Sequence, residues 1–250
     1  VTQESAIGCT IHSLPDEELI PAARTAVAEN PVNAPSGLVE PQRIALLTTK
    51  YWGAGGTALT VQFLDGPDTE TQRLVLQHMN RWGQHSGFRF RATRSTGHVR
   101  IARENDGYWS YLGTDILHIP HGQQTMNLQG FTAATPESEY RRVVCHEAGH
   151  TMGFPHEHMR REIVSRLDVE KTVAYFTRTQ GWSRQEVINQ VLTSLEDSAL
   201  TVGPVQETSI MCYQLPGSIT KDGRPIPGGT RITAADDAFA RKVYPPIAPG

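Results

Sequence analysis

Apolar residues recur along this chain with two periods, and each period predicts a different element. Leu59, Val61 and Phe63 alternate with Thr60 and Gln62, and Phe88, Phe90 and Ala92 alternate with arginines, the pattern of strands buried on one face. Between them Thr69 and Gln72 form a capping box, and Val75, Met79 and Trp82 share one helical face, predicting a helix packed on the sheet. Val99 and Ile101 predict a third strand, Ile116 to Ile119 a short edge strand, and Met126 to Gln129 another. Thr135 with Pro136 marks the start of a helix whose Val144 and Ala148 face the core. Ser183 and Glu186 make a second capping box before Val187, Val191 and Leu195. Pro216 to Gly229 reads as loop, and Thr233 caps a last helix carrying Phe239 and Val243. Ahead of all this, Ser13 and Asp16 start a short helix that packs Leu19, Ala23 and Val27. The expected fold class is α+β: an upper lobe with a twisted mixed sheet and two helices, a lower, mostly helical and irregular lobe, and a cleft between them.

The helix after Pro136 carries the chemistry. His146 to Glu157 reads HEAGHTMGFPHE. Residues i and i+4 lie one turn apart on one helical face, so His146 and His150 can present two imidazoles to one ion. Glu147, rotated about 100° from His146, sits beside that ion, where a general base belongs. Gly153 can take the left-handed conformation that stops the helix and turns the chain, returning His156 to the ion. Three neutral imidazoles suit one catalytic Zn2+ with an open position, which lowers the pKa of a bound water to about 7.

Downstream, Ser209-Ile210-Met211-Cys212-Tyr213 resembles the Met-turn of the metzincins, and the stretch from His146 to His156 is similar to their long zinc-binding consensus. Glu157, directly after the third histidine, looks like the astacins. Lys50-Tyr51-Trp52, the run Tyr108 to Gly113, His156-Glu157-His158 with Arg160, and Thr233 to Tyr244 extend the resemblance from about residue 49 to the end. It implies a metzincin-type zinc metalloendopeptidase domain over 49–250 acting on proteins or peptides. Glu147 would serve as general base and then acid toward a zinc-held water. Tyr213 would ligate zinc at rest and stabilise the oxyanion during catalysis, and Met211 would floor the three histidines. Two departures stand out. The two disulfides usual in astacins cannot form from Cys9, Cys145 and Cys212 alone, and about fifty residues precede the Tyr-Trp segment where mature astacins begin.

Residues 1–48 therefore form an amino-terminal extension with two readings: an inhibitory prosegment with Cys9 as a fourth zinc ligand, or an arm in which Cys9 is simply buried. Cys145 and Cys212 read as small buried residues. Glu157 is either a buried carboxylate linking the third-histidine loop to the Met-turn or to the amino terminus, or a solvated charge. The remaining histidines (12, 78, 85, 98, 118, 121 and 158) lack ligand spacing and read as surface or structural residues.

Composition narrows the alternatives. A net charge of -3 over 250 residues, with no basic run, provides no footprint for nucleic acid, and no window is apolar enough to span a membrane. No leader is visible at Val1, and the odd cysteine count fits a chain that does not rely on disulfides. The compartment stays open, because the resemblance points outside the cell and the cysteines fit the cytoplasm as well. Two other functions remain: a metal-stabilised binding or adhesion module that no longer turns over substrate, and a hydrolase of a non-peptide amide such as a cell-wall linkage. Cleavage specificity and oligomeric state are not legible.

Overall fold

The computed structural model describes residues 9–35, 47–53, 57–194 and 204–246. Four of the expected strands form, β2 (Ala58–Phe63), β3 (Arg89–Ala92), β4 (Val99–Ala102) and β6 (Met126–Leu128), and two that the pattern did not predict join them, β1 (Cys9–His12) and β5 (Tyr108–Tyr111). They form one mixed sheet in the order β1-β5-β6-β4-β2-β3, with β5 and β6 antiparallel and the other pairs parallel. The amino-terminal arm supplies one edge of this sheet. Its β1 runs parallel to β5, pairing Cys9 with Tyr108 and His12 with Tyr111.

Helix α1 (Asp16–Glu29) follows within the arm, with Ala22, Ala23 and Ala26 buried. The expected starting residues are nearly right, but Pro15 occupies the cap position and no side chain bonds there. Helix α2 (Thr69–Met79) is capped by Asp68, whose carboxylate accepts from Thr71 N, while Gln72 donates to Pro67 O. The cap expected at Thr69 therefore lies one residue earlier, where a carboxylate meets the positive end of the helix. Trp82 lies past the end of α2, in a 3-10 turn, and is still buried.

The edge strand expected at Ile116 to Ile119 is absent. Gly113 to His118 forms a 3-10 turn instead, entered through Gly113 at φ 47° and closed by Ile119 N donating to Ile116 O. Its place in the fold explains the difference: it packs under α1, and β1 occupies the edge of the sheet beyond β5. Apolar spacing alone does not separate a short buried turn from a short strand.

The metal-motif helix α3 spans 137–151. A turn at Glu137–Glu139 leads through a π-helical stretch, Tyr140–Val144, into Cys145–Thr151, so Pro136 is the cap residue and Thr135 lies outside. Later in the chain come α4 (Val169–Gln180) and α5 (Arg184–Val187, continuing as a π-helix through Ile188–Leu192), which pack in the lower lobe, and α6 (Ala234–Val243), which packs on the upper core. The capping boxes Ser183/Glu186 and Thr233/Asp236 are both present. Leu195 lies outside the described residues, as do 1–8 and 36–46 of the arm. The proline- and glycine-rich stretch is loop except for the 3-10 turn Gly217–Ile219 and two isolated bridges, Leu167 with Thr220 and Leu215 with Ile226.

Two main cores result. The upper one joins Val61, Val75, Phe88, Ile101, Met126, Val144 and Ala148, and takes Met211 from the Met-turn. The lower one joins Ile163, Phe176, Val187, Val191, Leu215 and Ile219, and takes in Cys9 and Tyr213. Among the described residues no helix is long and apolar enough to cross a membrane.

Candidate metal centre

Helix α3 is fixed from behind so that its histidines are presented in front. Val143, Val144 and Ala148 are fully buried, and Trp82 Nε1 donates to Cys145 O at 2.8 Å. Gly149, between the histidines, has a role that spacing did not reveal. A Cβ there would stand 2.4 Å from Met211 Sδ, so the absence of a side chain lets the Met-turn pass against the helix. The helix ends at Gly153, whose φ of 93° turns the chain and whose added Cβ would meet Lys50 O at 2.8 Å. That turn brings His156 back: His150 Nε2 lies 3.0 Å from both His146 Nε2 and His156 Nε2.

The tautomers follow from the partners. His146 Nδ1 donates to Ile210 O and His150 Nδ1 to Phe154 O, each at 2.7 Å, and a carbonyl can only accept. Both rings therefore carry their proton on Nδ1 and leave the Nε2 lone pair facing inward. Burial first of all pushes the His146 pKa down to about 4 and lowers those of His150 and His156 strongly, so the three rings are neutral at pH 7. Neutral, buried and convergent imidazoles are the donor set of zinc. Ligands about 2.0–2.1 Å from a tetrahedral zinc stand about 3.3 Å apart, close to the observed nitrogen spacing. The residues present fit one zinc ion.

Around the triad, polar groups are buried with their reactive atoms unspent. Ser110 Oγ on β5 donates to Glu147 Oε2 at 2.7 Å, while Glu147 Oε1 has no hydrogen-bond partner. Burial is the main cause that raises the Glu147 pKa to about 7. The Tyr213 hydroxyl is likewise buried without a partner, and burial lifts its pKa well above 10. Its ring stacks on His158 with centroids 4.0 Å apart and stands 4.6 Å from His156. Cys9 Sγ, a His146 nitrogen and a Glu147 oxygen lie within 4.8 Å of one another. Burial, followed by the Glu147 charge, holds the Cys9 pKa well above its usual value.

Glu157 is half-buried. Its Oε1 accepts from Gln206 N at 2.9 Å, Arg160 stands 3.6 Å away, and its own N–H donates to Met211 O at 2.9 Å. The third-histidine loop is thereby tied to the Met-turn and the segment before it. Cys145 and Cys212 are buried and unpaired.

Several participants gave no sequence signal of their role. Ser110 lies in the run Tyr108 to Gly113 that carries part of the family resemblance, but nothing in that run marks it as a partner of Glu147. His158 was grouped with the surface or structural histidines; it is fully buried, donates from Nε2 to Gln190 O at 3.0 Å and backs the Tyr213 ring. Asp236 does have a signal, since the Thr233 capping box contains it. Its carboxylate accepts from Ser209 Oγ, Ile210 N and Thr233 N, locking the Met-turn whose Ile210 carbonyl orients His146.

Comparison with known proteins agrees with this architecture. The zinc metalloproteinase nas-27 of Caenorhabditis elegans is 25% identical over 176 residues, which are 70% of this chain but 36% of that protein's length. The structure of myroilysin superposes with a TM-score of 0.73 at 29% identity, covering 78% of this chain and 96% of that one. The hatching-enzyme zinc-protease HCE-1 of Oryzias latipes shares the fold at a TM-score of 0.56 and 18% identity, over 79% of this chain and 95% of that one. The model of the astacin peptidase family matches residues 48–215, and the chain belongs to that family.

Proposed function

We propose that this protein is a zinc-dependent endopeptidase whose amino-terminal arm holds it latent. The observation that carries the reading is one buried cluster: three convergent imidazole nitrogens, a carboxylate with one oxygen unspent, and an arm thiol beside both. His146, His150 and His156 would hold the ion, and Cys9 would take a further position. When bound, zinc supplies a Lewis acid and lowers the pKa of water at the site.

The chain's own residues supply the rest. Ser110 orients Glu147 through one carboxylate oxygen and leaves the other to accept a proton from the attacking water. A carboxyl near pH 7 can later return that proton to the leaving amine. Tyr213, held protonated, donates its unspent O–H to the oxyanion that develops on the substrate carbonyl. Glu157 and Asp236 fix the third-histidine loop and the Met-turn. The substrates would be protein or peptide chains.

Metal analysis of the full chain should report one zinc. Casein should be cleaved once the arm is displaced, and 1,10-phenanthroline should stop the cleavage. Glu147→Gln should keep the metal and lose about 10²–10⁴-fold in kcat, whereas Tyr213→Phe should lose less. Cys9→Ala should cleave casein without prior processing. A zinc-loaded, arm-displaced protein inert to every polypeptide would leave the binding-module reading standing.

A further inference from the structure

Gln190 lies on the π-helical end of α5, away from the metal motif and outside any motif in the sequence. Its side chain makes a paired contact with the backbone of one arm residue: Ile11 N donates to Gln190 Oε1 at 3.2 Å, and Gln190 Nε2 donates to Ile11 O at 2.9 Å. A carboxamide has the same donor and acceptor as a peptide group, so the pair reproduces one rung of a β-ladder from a side chain. The other edge of the arm is paired with β5. The arm is thus gripped along both edges, by strand β5 above and by Gln190 below.

The grip does not depend on the arm's sequence, because it reads main chain. It is also tied to the reacting groups at both ends: Ser110 on β5 bonds Glu147, and the Gln190 carbonyl accepts from His158, the ring stacked on Tyr213. The arm runs parallel to β5, but a carboxamide rotated by half a turn exchanges its donor and acceptor. It therefore fits a peptide running in either direction.

We infer that Gln190 is a substrate-positioning residue: once the arm leaves, its carboxamide takes the N–H and C=O of one residue of an extended peptide whose opposite edge lies on β5. The inference rests on the endopeptidase reading and names what that reading lacks, a lower contact for the substrate backbone. Beside it, His12 of the arm stacks on Trp109 with centroids 3.9 Å apart and planes 8° apart, and meets Tyr111 edge-on. The neighbouring subsite accordingly accepts a planar side chain.

The test uses the full chain with its arm loosened by Cys9→Ala, Ile11→Pro and His12→Ala, with Glu147→Gln added so that bound peptide survives. The probe is a synthetic peptide with the sequence of residues 8–13, its cysteine replaced by serine, together with analogues N-methylated at single positions. Calorimetry should show Gln190→Ala weakening the unmodified peptide by about tenfold, as expected for two lost hydrogen bonds. One N-methyl position should cost a similar factor with Gln190 present and nothing further in Gln190→Ala. In the cleavage-competent version with Glu147 restored, Gln190→Ala should raise KM and leave kcat within about twofold. Equal affinity with and without Gln190, an N-methyl penalty that persists unchanged in Gln190→Ala, or failure of the peptide to bind would overturn the inference. Binding that behaves as expected in a chain that never cleaves would instead sink the endopeptidase reading and leave the clamp intact.

Discussion

The upper and lower lobes are completed in different ways. The upper core closes on residues of the sheet, α2, α3 and α6, with Met211 reaching in from the Met-turn. The lower core is smaller and includes Cys9, a residue of the arm, against Tyr213, Val187 and Val191. Of these two cores only the lower one counts an arm residue among its buried apolar members, although the arm's β1 also edges the upper sheet. Cys9 thus belongs both to the lower core and to the buried group it forms with His146 and Glu147, which lies on the seam between the two cores.

Acidification of the metal-free protein should have the largest effect on that seam. His146 protonates only near pH 4 and His158 near pH 3 when folded, against about 6.5 unfolded, and His150 and His156 are depressed as well, all chiefly by burial. The unfolded chain binds more protons through that window, so stability falls as pH drops from about 6.5 toward 4. Glu147, raised to about 7, and Asp115, Glu157 and Asp237, also raised by burial, bind protons earlier when folded and oppose the trend, but the downward shifts of the four fully buried histidines outweigh them. Urea melts at pH 7, 6 and 5 should show the decline. A stability that rises on acidification would place the histidines in water.

Next in size is Phe88→Ala, a fully buried ring of the upper core, which should cost about 3–5 kcal/mol in global unfolding. Val187→Ala in the lower core should cost about 1.5–3 kcal/mol. It should also accelerate labelling of Cys9 by a thiol reagent, an effect Phe88→Ala should lack at equal residual stability. If both variants expose Cys9 equally, Cys9 is not tied to the lower core in particular.

The smallest effect concerns the arm's outer attachment. His118 Nδ1 lies 2.9 Å from Glu18 Oε2, and its Nε2 lies 2.9 Å from Thr25 Oγ1, joining α1 to the turn at Gly113 to His118. Glu18 is 43% exposed, so Glu18→Ala should cost no more than about 1 kcal/mol. It should raise hydrogen exchange in α1 and leave the upper-lobe melt unchanged.

Much of this was legible in sequence because the determinants are local. The i, i+4 histidines, the glycine turn, the strand alternation and the Ser183 and Thr233 caps each depend on residues a few positions apart, so backbone geometry alone sets their relation. Short elements were less legible. The segment Ile116 to Ile119 has apolar residues compatible with strand or turn, and only the packing of α1 over it and the occupation of the sheet edge by β1 settled the matter.

The sequence by itself determined a convergent imidazole triad, the carboxylate beside it and an α+β frame, since these follow from periodicity and from which residues can turn a chain. Tertiary structure decided that Ser110 bonds Glu147, that Gly149 is bare because Met211 passes against it, that His158 backs Tyr213, that Cys9 lies beside His146 and Glu147, and that Gln190 pairs with Ile11. Each of those contacts joins residues far apart in the chain. Such contacts form only when the lobes and the arm pack, and no spacing along the chain encodes them.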